Sequence, residues 1–119
     1  MKKLFLAFLA TLAFGGSAVL AEPGTTSPKA GSVEIRSPAD GATVPAGKPI
    51  TVGYAVDPGP KGDHVHFYVD GKEIAVVRKL EGEYEVEALP PGQHEVAIKV
   101  VNSSHVPIGI ESAITLHAR

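Results

Sequence analysis

The stretch Asp63-His64-Val65-His66-Phe67-Tyr68-Val69-Asp70-Gly71 decides how this chain folds. Val65, Phe67 and Val69 alternate with His64, His66 and Tyr68, the period of two that marks a β-strand buried on one face. The apolar members are β-branched or aromatic and suit a pleated surface packed on a core. The same alternation puts His64 and His66 side by side on the opposite face, turned toward water, with Cα atoms roughly 6–7 Å apart. Asp70-Gly71 supplies the turn chemistry of a tight hairpin.

The pattern repeats on both sides of this strand. Upstream, Val33 to Arg36 alternates, Ser37-Pro38-Ala39-Asp40-Gly41 is a turn, and Val44-Pro45 is a short edge piece, because proline cannot serve a central ladder. Ile50, Val52, Tyr54 and Val56 share one face of the next strand, and the Pro- and Gly-rich residues from Asp57 to Asp63 form a loop. Downstream, Ile74 to Val77 is a short return strand. Glu81, Glu83, Glu85 and Glu87 line the solvated face of another strand, and they diverge along a line rather than converging on a calcium ion. After Pro90-Pro91-Gly92, His94, Val96, Ile98 and Val100 line a long strand, a loop carries His105, and Ile108, Ile110, Ile114 and Leu116 belong to the last strand. No segment after the leader has a helical period. Short alternating strands with turn signals every 8–12 residues predict an all-β antiparallel sandwich of about seven strands.

The ends of the chain bear on where it works. Lys2 and Lys3 precede an uncharged apolar run from Leu4, broken by Gly15-Gly16, with small or apolar residues before Ala21. This reads as a secretory signal peptide over residues 1–21; the alternative is retention as a membrane anchor. Residues 22–32, rich in Pro, Gly, Ser and Thr, read as a flexible leader, and 33–119 as one domain. The expected location is therefore periplasmic or extracellular, with no membrane association once the signal is cleaved. Loss of Lys2 and Lys3 takes the formal net charge from −2 to −4, which excludes a nucleic-acid partner. The chain has no Cys, so packing alone must hold it together outside the cytoplasm.

These residues carry a resemblance. Ile35-Arg36-Ser37-Pro38-Ala39-Asp40-Gly41-Ala42-Thr43-Val44 resembles the opening strand and turn of bacterial immunoglobulin-like domains. Val65 to Gly71 is similar to their third strand and its hairpin, and Leu89 to Val96 to their sixth strand. The His-x-His strand together with the late Ser-His-Val-Pro loop also resembles a group of small secreted bacterial domains of unknown function. The resemblance implies an immunoglobulin-like sandwich in which the third and sixth strands are antiparallel neighbours.

With that strand order, His64 lies at the same pole as the loop bearing His105, with His66 one pleat away. His94, at the start of the sixth strand, falls near the opposite pole, on the order of 20 Å from His64. His94 is expected to be a corner residue bonded to backbone, and His117 an exposed terminal one. The candidate metal site is thus His64, His66 and His105, with Asp63 as an oxygen ligand, and imidazoles suit copper(II) or zinc. Sharing one ion requires rings within roughly 8 Å of each other. The plainer alternative is polar surface.

Catalytic constellations are absent. Ser103-Ser104-His105 lacks a nucleophile elbow, and there is no phosphate-binding Gly-rich loop. His64-Val65-His66 resembles the copper-ligand strand of copper–zinc superoxide dismutases, but the disulfide and the bridging-His loop with its zinc ligands are missing. The expected function is a non-enzymatic exported module with a binding or structural role, toward an envelope protein or a glycan. The alternative is a periplasmic binder of copper(II) or zinc.

Overall fold

The computed structural model describes residues 30–119. The signal peptide and most of the leader read from the sequence lie outside the described residues. Eight strands follow in order: β1 (Ser32–Ser37), β2 (Thr43–Val44), β3 (Ile50–Asp57), β4 (His64–Val69), β5 (Lys72–Val77), β6 (Glu81–Val86), β7 (Gly92–Val101) and β8 (Pro107–Ala118). Among the described residues there is no helix. β1, β3 and β6 make one sheet, and β2, β8, β7, β4 and β5 the other, so the chain is an all-β sandwich. The eighth strand beyond the expected seven is β2, the two-residue edge piece before Pro45, which runs parallel to the end of β8.

The alternation read from the sequence sets what each strand buries. Val52 and Tyr54 from β3, Val65 and Phe67 from β4, Val96, Ile98 and Val100 from β7, and Leu116 from β8 are almost wholly removed from water and pack as one core. Phe67 is central. Its ring meets Tyr54 edge-on at 5.2 Å between centroids and lies 4.8 Å from Tyr84. The Tyr54 hydroxyl donates to the Lys79 carbonyl at 2.7 Å, so its one polar atom is satisfied despite burial. Edge strand β6 turns Glu81, Glu83 and Glu85 to solvent, with Glu87 exposed just beyond it.

Two local features position the outer face of β4. At the β4–β5 hairpin, Asp70 and Gly71 both have positive φ, 52° and 82°, the backbone of a type I′ turn. The hairpin then slips register between Phe67 and Tyr68, so Tyr68 pairs with Glu73 and Phe67 with Ala75, leaving Ile74 bulged. At the other end, the loop entering β4 presses onto β7. A Cβ on Gly62 would lie 2.6 Å from Val100 Cγ1 and 2.2 Å from the Pro58 carbonyl oxygen, so only glycine fits there. Asp63 N–H then donates to the Val101 carbonyl at 2.8 Å, which fixes Asp63 at the mouth of β4.

Candidate metal centre

β4 and β7 pair antiparallel, with His64 opposite Val101, and the β7–β8 turn follows directly after Val101. His105 therefore reaches back over the start of β4. The turn is built around Asn102. Its Oδ1 accepts from the N–H of Ser104 at 2.9 Å and of Val106 at 3.0 Å, and its carbonyl accepts from His105 N–H at 2.9 Å. This Asx arrangement holds His105 at φ 65°, a left-handed conformation that His adopts more readily than bulky residues do.

The three rings converge on one point. His64 Nε2 and His66 Nε2 are 3.2 Å apart, and His105 Nδ1 lies 3.3 Å from the first and 3.1 Å from the second. Ring centroids are 4.6 to 5.2 Å apart, well inside the limit for sharing an ion. Hydrogen bonding cannot account for this triangle. Each nitrogen offers either one lone pair or one N–H in the ring plane, so three mutual contacts cannot all be satisfied. A cation bound by all three nitrogens would satisfy each of them. Bonds of about 2.0–2.1 Å in tetrahedral geometry separate ligand atoms by about 3.3–3.4 Å, close to the observed edges.

The two strand imidazoles lie on the face of β4 away from the core, but they do not face water as the alternation led one to expect. His64 is 0% exposed and His66 4%. The physical reason is the cover above them: the His105 turn on one side, and the carboxylates of Asp63 and Glu73 on the other. Periodicity assigns a side chain to a face and says nothing about what folds over that face.

Asp63 is placed differently from the other three candidates. Its Oδ2 accepts from His64 Nδ1 at 2.8 Å, on the far side of the ring from Nε2, and also meets Arg78 Nη1 at 3.3 Å. The hydrogen bond from His64, aided by Arg78, holds the Asp63 carboxyl below its usual range. An ionised carboxylate can only accept, so the proton of His64 sits on Nδ1 and the Nε2 lone pair points inward. Glu73 Oε1 lies 3.1 Å from His66 Nδ1, at ion-pair distance behind the second ring. Carboxylates behind ligating histidines orient the ring and raise its basicity. Asp63 thus acts behind His64 instead of joining the triangle.

Glu73 and Asn102 were not singled out in the sequence. Tyr68 and His66 share the outer face, and a residue opposite Tyr68 could have been looked for there, but the bulge at Ile74 carries no sequence signal. Asn102 precedes Ser-Ser-His in a turn, which is the usual place for an Asx cap.

A model of the Bacterial Ig domain matches residues 32–98, more than half of the chain. The chain belongs to the bacterial Ig domain family. A fibronectin(III)-like module of CbhA from Clostridium thermocellum has a similar structure, with a TM-score of 0.62 and 18% identity, covering 73% of this chain and 96% of that one. No curated protein matches the sequence. The chain is thus an Ig-like module of the kind that serves binding or structural roles, and such modules are typically non-catalytic and often lie outside the cell.

The opposite pole of this Ig domain holds His94, as a corner residue. Its Nδ1 donates to Asp70 Oδ2 at 2.6 Å and its Nε2 to the Pro90 carbonyl at 2.8 Å, an arrangement that needs both ring protons. Asp70 Oδ1 also accepts from Glu95 N–H at 2.8 Å, tying the β4–β5 turn to β7. The Asp70 hydrogen bond, then the Pro90 carbonyl, raise the pKa of His94, and the same bond with the Glu95 N–H lowers that of Asp70. The sign follows from linkage. The His94 contribution is complete below its unfolded pKa of about 6.5 and is lost as pH rises through the higher folded value. The Asp70 contribution is complete above about 3.9 and is lost as pH falls through the lower folded value. The unfolding free energy of the native protein should therefore exceed that of a His94→Gln variant most between about pH 4 and 6.5, by no more than about 1 kcal/mol for so exposed a carboxylate. The gap should narrow on both sides; a gap that widens steadily above pH 7 would contradict this. His117, part-buried near the end of β8, lies outside the histidine triangle.

Proposed function

We propose that this Ig-like module binds one divalent transition-metal ion through His64 Nε2, His66 Nε2 and His105 Nδ1, and that zinc suits the site best. The observation that carries the reading is the triangle of ring nitrogens with edges of 3.1 to 3.3 Å. Its near-equal edges favour a tetrahedral ion. The tetragonal arrangement preferred by copper(II) would stretch one edge to about 4 Å, because two of its ligands stand trans. The signal peptide read from residues 1–21 would carry the module out of the cytoplasm, where a Cys-free imidazole site stays unaffected by oxidation.

Calorimetric titration of zinc into the protein tests this. The expected result is one ion per chain and a rise in stability of about 2.7 kcal/mol once free zinc exceeds its dissociation constant a hundredfold. Binding that is equally weak in a His64→Ala/His66→Ala variant would overturn it. The carboxylates behind the rings give a graded second check. Asp63→Asn should weaken zinc binding about 10–100-fold by removing the charge that orients His64. Glu73→Gln should cost less, because Glu73 meets its ring at the longer 3.1 Å.

A further inference from the structure

We propose that the ion held by His64, His66 and His105 keeps a fourth coordination position for a small monodentate donor from solution, water at rest and an anion such as azide in exchange. This rests on the metal-binding reading above. The triangle itself sets the geometry. Three nitrogens with edges of 3.1 to 3.3 Å leave too little room for an ion in their plane. With bonds of about 2.0–2.1 Å the ion stands about 0.9 Å out of that plane, and the nitrogen–metal–nitrogen angles come to about 100–105°. All three imidazoles then occupy one hemisphere, and the opposite one needs another donor.

The described part of the protein offers none. Among the described residues, only His64, His66 and His105 contribute ligand atoms to the cluster. The carboxylates nearest to it are already engaged behind the rings, Asp63 on His64 Nδ1 and Glu73 on His66 Nδ1. The chain has no Cys, and His94 is tied to Asp70 and Pro90 at the other pole. Access is one-sided. His64 and His66 form a buried back wall, whereas His105 and its neighbours Ser104 and Val106 are exposed.

Two further observations set this site apart from a structural clamp. Structural zinc sites are closed by four protein ligands, and sites that exchange a ligand hold three and leave one position free. The fold also has a core of its own on the other face of β4, through Val65 and Phe67, and does not need an ion to gather its strands. Three neutral imidazoles leave a divalent ion its full charge, so the donor class it favours is a small anion or a neutral oxygen or nitrogen ligand.

Cobalt(II) in place of zinc makes the position visible. The expected result is the intense visible absorption of a four-coordinate ion, shifted saturably by one azide per cobalt, with the same shift in Asp63→Asn once cobalt is raised to saturate its weakened site. A cobalt spectrum that azide cannot move would overturn the open position while leaving the metal site standing. So would an azide response that arises only in Asp63→Asn, because Asp63 would then be the fourth ligand. If no cobalt spectrum distinguishes the protein from His64→Ala/His66→Ala, the metal reading fails and this inference fails with it.

Discussion

Replacing His105 by glycine should weaken zinc binding more than about hundredfold, or about 2.8 kcal/mol, and leave the metal-free fold nearly as stable as before. The bound follows from the neighbours. Removing a group that only orients a ligating histidine already costs about 10–100-fold, and in the proposed site His105 would supply one of the three bonds itself. Glycine is the informative replacement because His105 sits at φ 65°, which glycine adopts freely and alanine does not. The side chain is exposed and belongs to no core contact, so its loss should change metal-free stability by only about 0.5 kcal/mol. His64→Ala should lose at least as much affinity, and some stability besides, because the ring it removes is 0% exposed. Calorimetry on both variants, with chemical denaturation of the metal-free forms, separates ligand loss from unfolding. Unchanged affinity in His105→Gly would remove the third ligand from the site.

The second large effect concerns the strand that carries the site. Phe67→Ala should destabilise the domain by about 3–5 kcal/mol, because truncating a buried aromatic leaves a cavity that its neighbours fill only in part. Phe67 is 0% exposed and meets both Tyr54 and Tyr84. A domain of this size has only about 5–15 kcal/mol to lose, so the melting temperature should fall by about 15 °C or more. Metal binding should report the same change. Phe67 follows His66 directly, and its inward packing is what turns His66 outward. Near its lowered melting point the variant should therefore bind zinc with a reduced apparent affinity, and excess zinc should restore part of the lost stability by mass action. A loss below about 1 kcal/mol in denaturant unfolding would mean that this ring is not a keystone of the core.

Much of this was legible before any coordinates. The alternation through Val65, Phe67 and Val69 assigned β4 its two faces, and the Asp70-Gly71 pair located its turn. The strand order implied by the resemblance made β4 and β7 antiparallel neighbours, which put His64 and His105 at one pole and His94 at the other. What escaped the sequence has a common physical cause: it depends on how loops and side chains fold over a face. The burial of His64 and His66 comes from the Asn102-held turn, from Asp63 at the mouth of β4, and from Glu73, which the hairpin register brings across. The part of Glu73 was hidden by the bulge at Ile74, which shifts β5 by one residue relative to β4. Asp63 could be placed beside His64 from its position in the chain. Which side of the ring it would meet, and so whether it would ligate or orient, depends on side-chain rotamers that a pattern of residues does not specify.

X-ray absorption on the zinc-loaded protein tests the shared ion site most directly. The expected spectrum shows zinc bound by three imidazole nitrogens and one oxygen donor at about 2.0–2.1 Å. A shell of oxygen donors with one imidazole or none would mean that His64, His66 and His105 meet for some other reason.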